Sequence, residues 1–189
     1  MKPQSRLFRF LLHCVLFSAF TFPTYSWAMK CNPTDWNIVL KAQKKVDVRY
    51  NIHAVRFNQL LSIHQQRTLL HQEFTSQELQ TFWHPDKTDM HLTMRTQMKA
   101  TREAVEQTET EISKINNSLS DIYLTRKNWK SISQHCEQQG QTINMISSEH
   151  YVSMNQEIIN DIKQLKKKLS TIKQQYLNEI AALENSYPD

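Results

Sequence analysis

Three groups of residues in this sequence have side chains capable of chemistry. The first is a cysteine pair. Of three cysteines, Cys14 lies in an N-terminal apolar run, and Cys31 and Cys136 lie outside it. An even pair in an oxidising compartment forms a disulfide rather than two free thiols. The second group is histidine. His53, His64 and His71 share one helical stripe, but His64 and His71 are two turns apart, about 10 Å along the axis, too far to hold one ion. His84, Asp86, Asp89 and His91 lie in and just after a turn, where backbone can fold ligands together. They match no known ligand spacing, so His84, Asp86 and His91 are only weak metal candidates, and no metal or cofactor is expected.

The third group is aromatic. Phe74, Phe82 and Trp83, with His84, gather at the same turn. Aromatics of this kind anchor protein interfaces; they also cap helical cores. Catalytic patterns are missing. No Ser/His/Asp or Cys/His spacing stands out, and His135 beside Cys136 points elsewhere on a helix. Gly140 is the one glycine of the chain. Phosphate-binding loops and nucleophile elbows need several, so the expectation is a non-enzyme.

The elements that must position these groups are helices. Asn32-Pro33-Thr34-Asp35 is a helix start, with Asn as N-cap and Pro at the first helical position. Trp36, Val39, Gln43, Val46, Tyr50, His53, Phe57 and Leu60 then recur at alternating spacings of three and four, the stripe of a long amphipathic helix. Thr75-Ser76-Gln77-Glu78 is a capping box for a short helix. His84-Pro85 ends that helix, because the residue before Pro avoids the helical region. Met94, Met98, Thr101, Val105, Thr108, Ile112, Ile115, Leu119, Ile122, Trp129 and Cys136 define a second long stripe. Gly140 stands where a left-handed cap belongs. Tyr151, Asn155, Ile158, Ile162, Leu165, Leu169, Ile172, Tyr176 and Leu183 define a third.

The spacing predicts long helices over 33–73, 88–138 and 148–185 and a short one over 76–83. The fold class is all-α: an elongated, coiled-coil-like, antiparallel three-helix bundle with a short extra helix at one end. Antiparallel order puts Cys31 beside Cys136 and Trp36 level with Trp129. Glu103, Glu106, Glu109 and Glu111 then face Lys163, Lys166, Lys167, Lys168 and Lys173 as intramolecular complements.

The N-terminus reads as an export signal. Lys2, Arg6 and Arg9 precede the apolar run Phe10 to Phe22, then Pro23 and Ser26-Trp27-Ala28. Residues 1–28 are expected to be cleaved, leaving a domain over 29–189. The run is short of the roughly 20 residues that span a bilayer, so no stable membrane insertion is expected afterwards. Cleavage leaves 20 basic against 18 acidic residues, which gives no reason to invoke nucleic acid.

Phe74-Thr75-Ser76-Gln77-Glu78 resembles, over five residues, the LTxxQ motif of small periplasmic helical chaperones. It departs from that motif at its first and last positions, and no family membership is drawn from it.

The functional expectation is a secreted or periplasmic scaffold or interaction protein in an envelope, secretion or surface assembly. It would engage a protein partner through Phe74, Phe82, Trp83 and His84, with homo-oligomerisation left open. The alternatives are a holdase-type chaperone, with Met90, Met94 and Met98 as adaptable lining, and a metal-sensing helical protein.

Overall fold

A computed structural model describes residues 28–187. The expected signal segment, bar Ala28, lies outside the described residues. The described chain is helical, with no strand. Its elements are α1 (Pro33–Gln65), α2 (Leu70–Glu73), α3 (Ser76–Thr81), α4 (Thr88–Gln138) and α5 (Thr142–Asn185).

The starts of α1 and α3 follow local chemistry. Asn32 Oδ1 accepts from the Asp35 amide at 2.9 Å, and Pro33 opens the first turn, where its missing N–H costs nothing. In the capping box, the Glu78 amide donates to Thr75 Oγ1 at 3.3 Å and the Thr75 amide donates to Glu78 Oε2 at 2.8 Å. The Thr75 amide and hydroxyl, which both donate to Glu78 Oε2 at 2.8 Å, hold the Glu78 carboxyl below its ordinary range.

α4 and α5 are the central pair. At 51 residues, α4 is about 75 Å long for a rise of 1.5 Å per residue. Gly140, at φ 67°, reverses the chain, and the Gln141 amide reaches back to the Cys136 carbonyl at 2.9 Å. The two helices then pack antiparallel. Ser133 donates to Glu149 at 2.6 Å near the turn, and Arg102 donates to Glu184 at 2.6 Å near the far end. α1 lies along this pair, with Val39, Val46 and Phe57 buried against both.

Four apolar clusters succeed one another along the long axis. Val39, Trp129, Ile132, Cys136 and Val152 surround the disulfide end. Ile115, Ile122, Ile159, Ile162 and Leu169 fill the middle with Val46 and Phe57. Leu69, Ala104, Ile172 and Tyr176 follow, and Leu79, Trp83, Met94 and Leu183 close the tip. Cys31 and Cys136 are joined by a disulfide, with Cα atoms 5.0 Å apart. Trp36 and Trp129 meet edge to face with centroids 5.0 Å apart.

Three boundaries differ from the expectation. The first helix ends at Gln65 rather than 73. Leu69 is extended (φ −102°, ψ 113°) and buried, and the chain restarts as α2. The cause is tertiary: Glu179 on α5 accepts from the Leu70 and His71 amides, each at 2.9 Å. A buried carboxylate aimed at free amides makes a helix start. The last helix begins at Thr142 rather than 148. Its first turns carry no apolar stripe to detect, since Ile143 and Ile146 are exposed. α3 ends at Thr81, and Phe82 and Trp83 continue as a turn.

Candidate functional site

At the tip, α3 and the turn after it fold over the ends of α4 and α5. Phe74 and Phe82 meet edge to face at 5.0 Å, and Lys87 Nζ lies 5.7 Å from the Phe82 ring centre. Phe74 is exposed, Phe82 half-buried and His84 exposed. Trp83 differs from them: it is 5% exposed, packed with Leu79, Met94 and Leu183. Its indole N–H donates to Ser186 Oγ at 3.1 Å. Of the four tip residues expected to bind a partner, Trp83 is therefore core, where burial with a satisfied N–H is the ordinary state of the ring. An open groove of 840 Å³ runs past it, lined by Gln77, Gln80, Thr81, His84, Pro85 and Lys87.

The histidine turn gathers only in part. His84 Nδ1 lies 3.3 Å from Asp86 Oδ2, whereas His91 Nε2 lies 3.0 Å from the His84 carbonyl oxygen and its ring faces Trp83. Among the described residues, no group of three or more His, Cys, Asp or Glu converges on a point that could hold a metal. Of the three methionines expected to line a client cradle, Met90 is half-buried. Met94 is fully buried and Met98 packs on the tip cluster.

Three polar layers interrupt the apolar clusters. Near the disulfide, Gln43 Oε1 accepts from Trp129 Nε1 at 3.0 Å and from Asn155 Nδ2 at 2.6 Å. In the middle, His53 Nδ1 lies 2.6 Å from Glu111 Oε1, and its Nε2 lies 2.9 Å from Ser118 Oγ. The order carboxylate, imidazole, hydroxyl is that of a nucleophilic triad. The surroundings do not serve one. Ser118 Oγ already donates to the Lys114 carbonyl at 3.0 Å. It also lies inside α4, whose interior amides are committed to the helix and offer nothing to an oxyanion. All three side chains are buried, and the layer fixes the register of α1 on α4, as buried polar groups do in coiled coils.

Toward the tip, Glu179 is fully buried. Besides the two backbone amides it meets His71 Nδ1 at 2.6 Å and Gln97 Nε2 at 2.9 Å. Burial alone pushes its carboxyl up. The hydrogen bonds from the His71 amide, Gln97, the His71 ring and the Leu70 amide outweigh burial and hold it below the ordinary value of 4.5. A folded-state value below the unfolded one stabilises the fold fully above the ordinary value. That stabilisation is lost as pH falls through the lower, folded value. Glu179→Gln is expected to cost about 2–4 kcal/mol at neutral pH, because it turns a shared acceptor into a competing donor. Urea unfolding at about pH 7 and about pH 3 checks the sign: the gap between wild type and variant should shrink in acid. A gap independent of pH counts against the charged acceptor.

The basic run of α5 is paired less fully than expected. Lys173 reaches Glu109 at 3.5 Å, but Glu111 turns inward to His53. Lys163 and Lys168 lie over the rings of Tyr123 and Phe57.

Sequence reasoning missed the solvent side of α1. Ile38, Val48, Ile52, Val55 and Ile63 are 52%, 58%, 53%, 57% and 46% exposed. They lie on the helix face away from Val39, Val46 and Phe57. The signal was available: Ile38, Lys41, Lys45, Val48, Ile52 and Val55 alternate at three and four residues, a second stripe beside the core one. No protein family, no curated protein sequence and no solved structure matches this chain.

Proposed function

We propose that this protein is an exported, non-enzymatic helical scaffold that engages a protein partner within an envelope, secretion or surface assembly. In this reading α1, α4 and α5 act together as one stiff antiparallel three-helix rod, pinned at one end by the disulfide. The observation that carries the reading is the apolar row on the outer face of α1. Isolated apolar side chains on a surface need no explanation. A row of aliphatic residues on one helix face, left unpartnered along most of α1, is what an interaction surface presents. Phe74, Phe82 and His84 at the tip offer a second, smaller contact.

Affinity capture with the oxidised chain from its native compartment tests the reading. The expected result is a stable, stoichiometric native complex, together with a mass placing Met29 as the first residue of the recovered protein. Suppression of aggregation of unfolded clients, with no native complex, is the contrary result and points to a holdase.

A further inference from the structure

We propose that the outer row of α1 is a coiled-coil seam for one acidic amphipathic helix of a partner protein. This names the partner class for the scaffold reading above and rests on it.

The row has heptad order. Ile38, Lys45, Ile52 and Gln59 recur every seven residues, and Lys41, Val48, Val55 and Ser62 recur three residues after each. Those are the a and d positions of a heptad: Ile38, Val48, Ile52 and Val55 supply apolar knobs, and Lys41, Lys45, Gln59 and Ser62 supply polar ones. The apolar members are all β-branched, which suits knobs-into-holes packing of paired helices. Aromatic side chains, the usual anchors of a helix lying on a bilayer, are missing from the row. From Ile38 to Ser62 the a and d positions span about 36 Å at 1.5 Å per residue, room for more than three heptads of a partner.

A ready channel flanks the row. Ile38, Ile52 and Ile63 each border a hollow between α1 and α4, and the three hollows, of 420, 370 and 310 Å³, follow one another along the rod. Leu124 on α4, 56% exposed, forms part of the opposite wall. A helix laid in this channel covers both walls.

Charge selects the occupant. Lys41, Lys44, Lys45 and Arg56 are exposed beside or within the row, and none joins an ion pair among the described residues. The carboxylates of α1 are used elsewhere: Asp35 at the N-terminal cap and Asp47 accepting from Gln43 at 2.8 Å. On the α4 wall Asp121 pairs with Arg49 and Glu111 with His53, and Glu106 shares its hollow with Arg56 and Lys114, so the channel stays basic. A second copy of this chain fits poorly. Antiparallel self-pairing about Ile52 brings Arg49 to within one residue of the level of Arg56, and parallel self-pairing sets Lys45 against Lys45. Like charges across an interface cost affinity, whereas glutamates flanking a partner's apolar seam complement all four cations.

The test uses the oxidised full domain and two synthetic helical peptides about four heptads long, with leucine at a and d. One carries glutamate at e and g, the other lysine. The glutamate peptide should bind, the lysine peptide should not, and added salt should weaken binding. Val48→Asp with Ile52→Asp should raise Kd at least about tenfold, and Lys41→Glu with Lys45→Glu should raise it comparably. Both pairs face solvent, so circular dichroism and melting temperature should stay near wild type. Equal binding of the two peptides, or binding of the glutamate peptide unaffected by V48D/I52D, overturns the proposal. So does a homodimer in sedimentation that I52D dissolves. Failure of both peptides alongside V48D/I52D-sensitive binding to phosphatidylglycerol vesicles overturns it in favour of a membrane surface. A native complex retained by V48D/I52D removes the seam and leaves the scaffold reading standing. Peptide discrimination without any native complex does the reverse.

Discussion

Replacing Cys31 and Cys136 together by serine is expected to lower the unfolding free energy by about 3–5 kcal/mol, while most helix content survives. The bond joins residues separated by 105 positions. Closing a loop of that length removes much of the freedom of the unfolded chain, worth up to about 4–5 kcal/mol in the chain-entropy view. Cys136 is also fully buried beside Trp129, Ile132 and Val152, so a serine hydroxyl there adds an unpaired polar group.

The loss should not be uniform. α4 and α5 are joined through Gln139–Gln141 and keep their shared core without the bond. α1 is held by its own buried face and by this covalent link. Hydrogen exchange should therefore show α1 amides losing protection first, with those of α4 and α5 protected for longer. Thermal unfolding with and without reductant gives the size of the effect. Equal melting temperatures in the two conditions, with thiol titration confirming reduction, would show that the link does not hold α1 to α4.

The stripes were the legible part of the fold. Val39, Gln43, Val46, His53 and Phe57 on α1 are buried as their spacing requires, as are Ile115, Ile122, Trp129 and Cys136 on α4. Periodicity reports which face is dry, and three dry faces imply helices that share a core. The levels of Cys31 with Cys136 and of Trp36 with Trp129 followed from antiparallel order alone. The ends were less legible. Nothing in Gln66-Arg67-Thr68-Leu69 breaks a helix, since the chain there has neither Gly nor Pro. The break is imposed by Glu179, more than a hundred residues away, which outcompetes the local ladder for two amides. Thr142 to Ser147 lack a buried stripe, so periodicity alone starts α5 too late.

The candidate site was legible only in pieces. Trp83 and Phe82 are neighbours in sequence, yet one is core and the other half-exposed, because a turn rather than a helix continues from Thr81. Composition cannot separate an anchor for a partner from an anchor for the bundle. The outer row of α1 had the opposite difficulty. Its spacing was plain, but the stronger core stripe on the same helix satisfied the search for a buried face. α1 thus carries a second, partly apolar stripe that its own fold does not bury.

Trp129→Ala is expected to be the most damaging single substitution in the domain, at about 3–5 kcal/mol. The indole is fully buried at the disulfide end. It stacks on Tyr151 with centroids 4.3 Å apart and planes at 11°, and receives the edge of Trp36 at 5.0 Å. Truncation opens a large cavity between α1, α4 and α5, and long helices packed along their length collapse little to fill it. It also removes a donor from Gln43 Oε1, although Asn155 Nδ2 continues to satisfy that oxygen at 2.6 Å. Trp129→Phe separates the two terms. It keeps most of the ring burial and loses the N–H, so it should cost about 1–2 kcal/mol less than the alanine change. Gln43→Leu attacks the layer from the other side, leaving the Trp129 N–H and the Asn155 amide without their shared acceptor. Its cost should be about 2–3 kcal/mol. A double-mutant cycle of Gln43→Leu with Trp129→Phe, followed by urea unfolding, should give a coupling of about 1 kcal/mol, because each change removes the other's partner. Additive losses would mean that the polar layer contributes no specific hydrogen bond, and that volume alone sets the stability of this end of the rod.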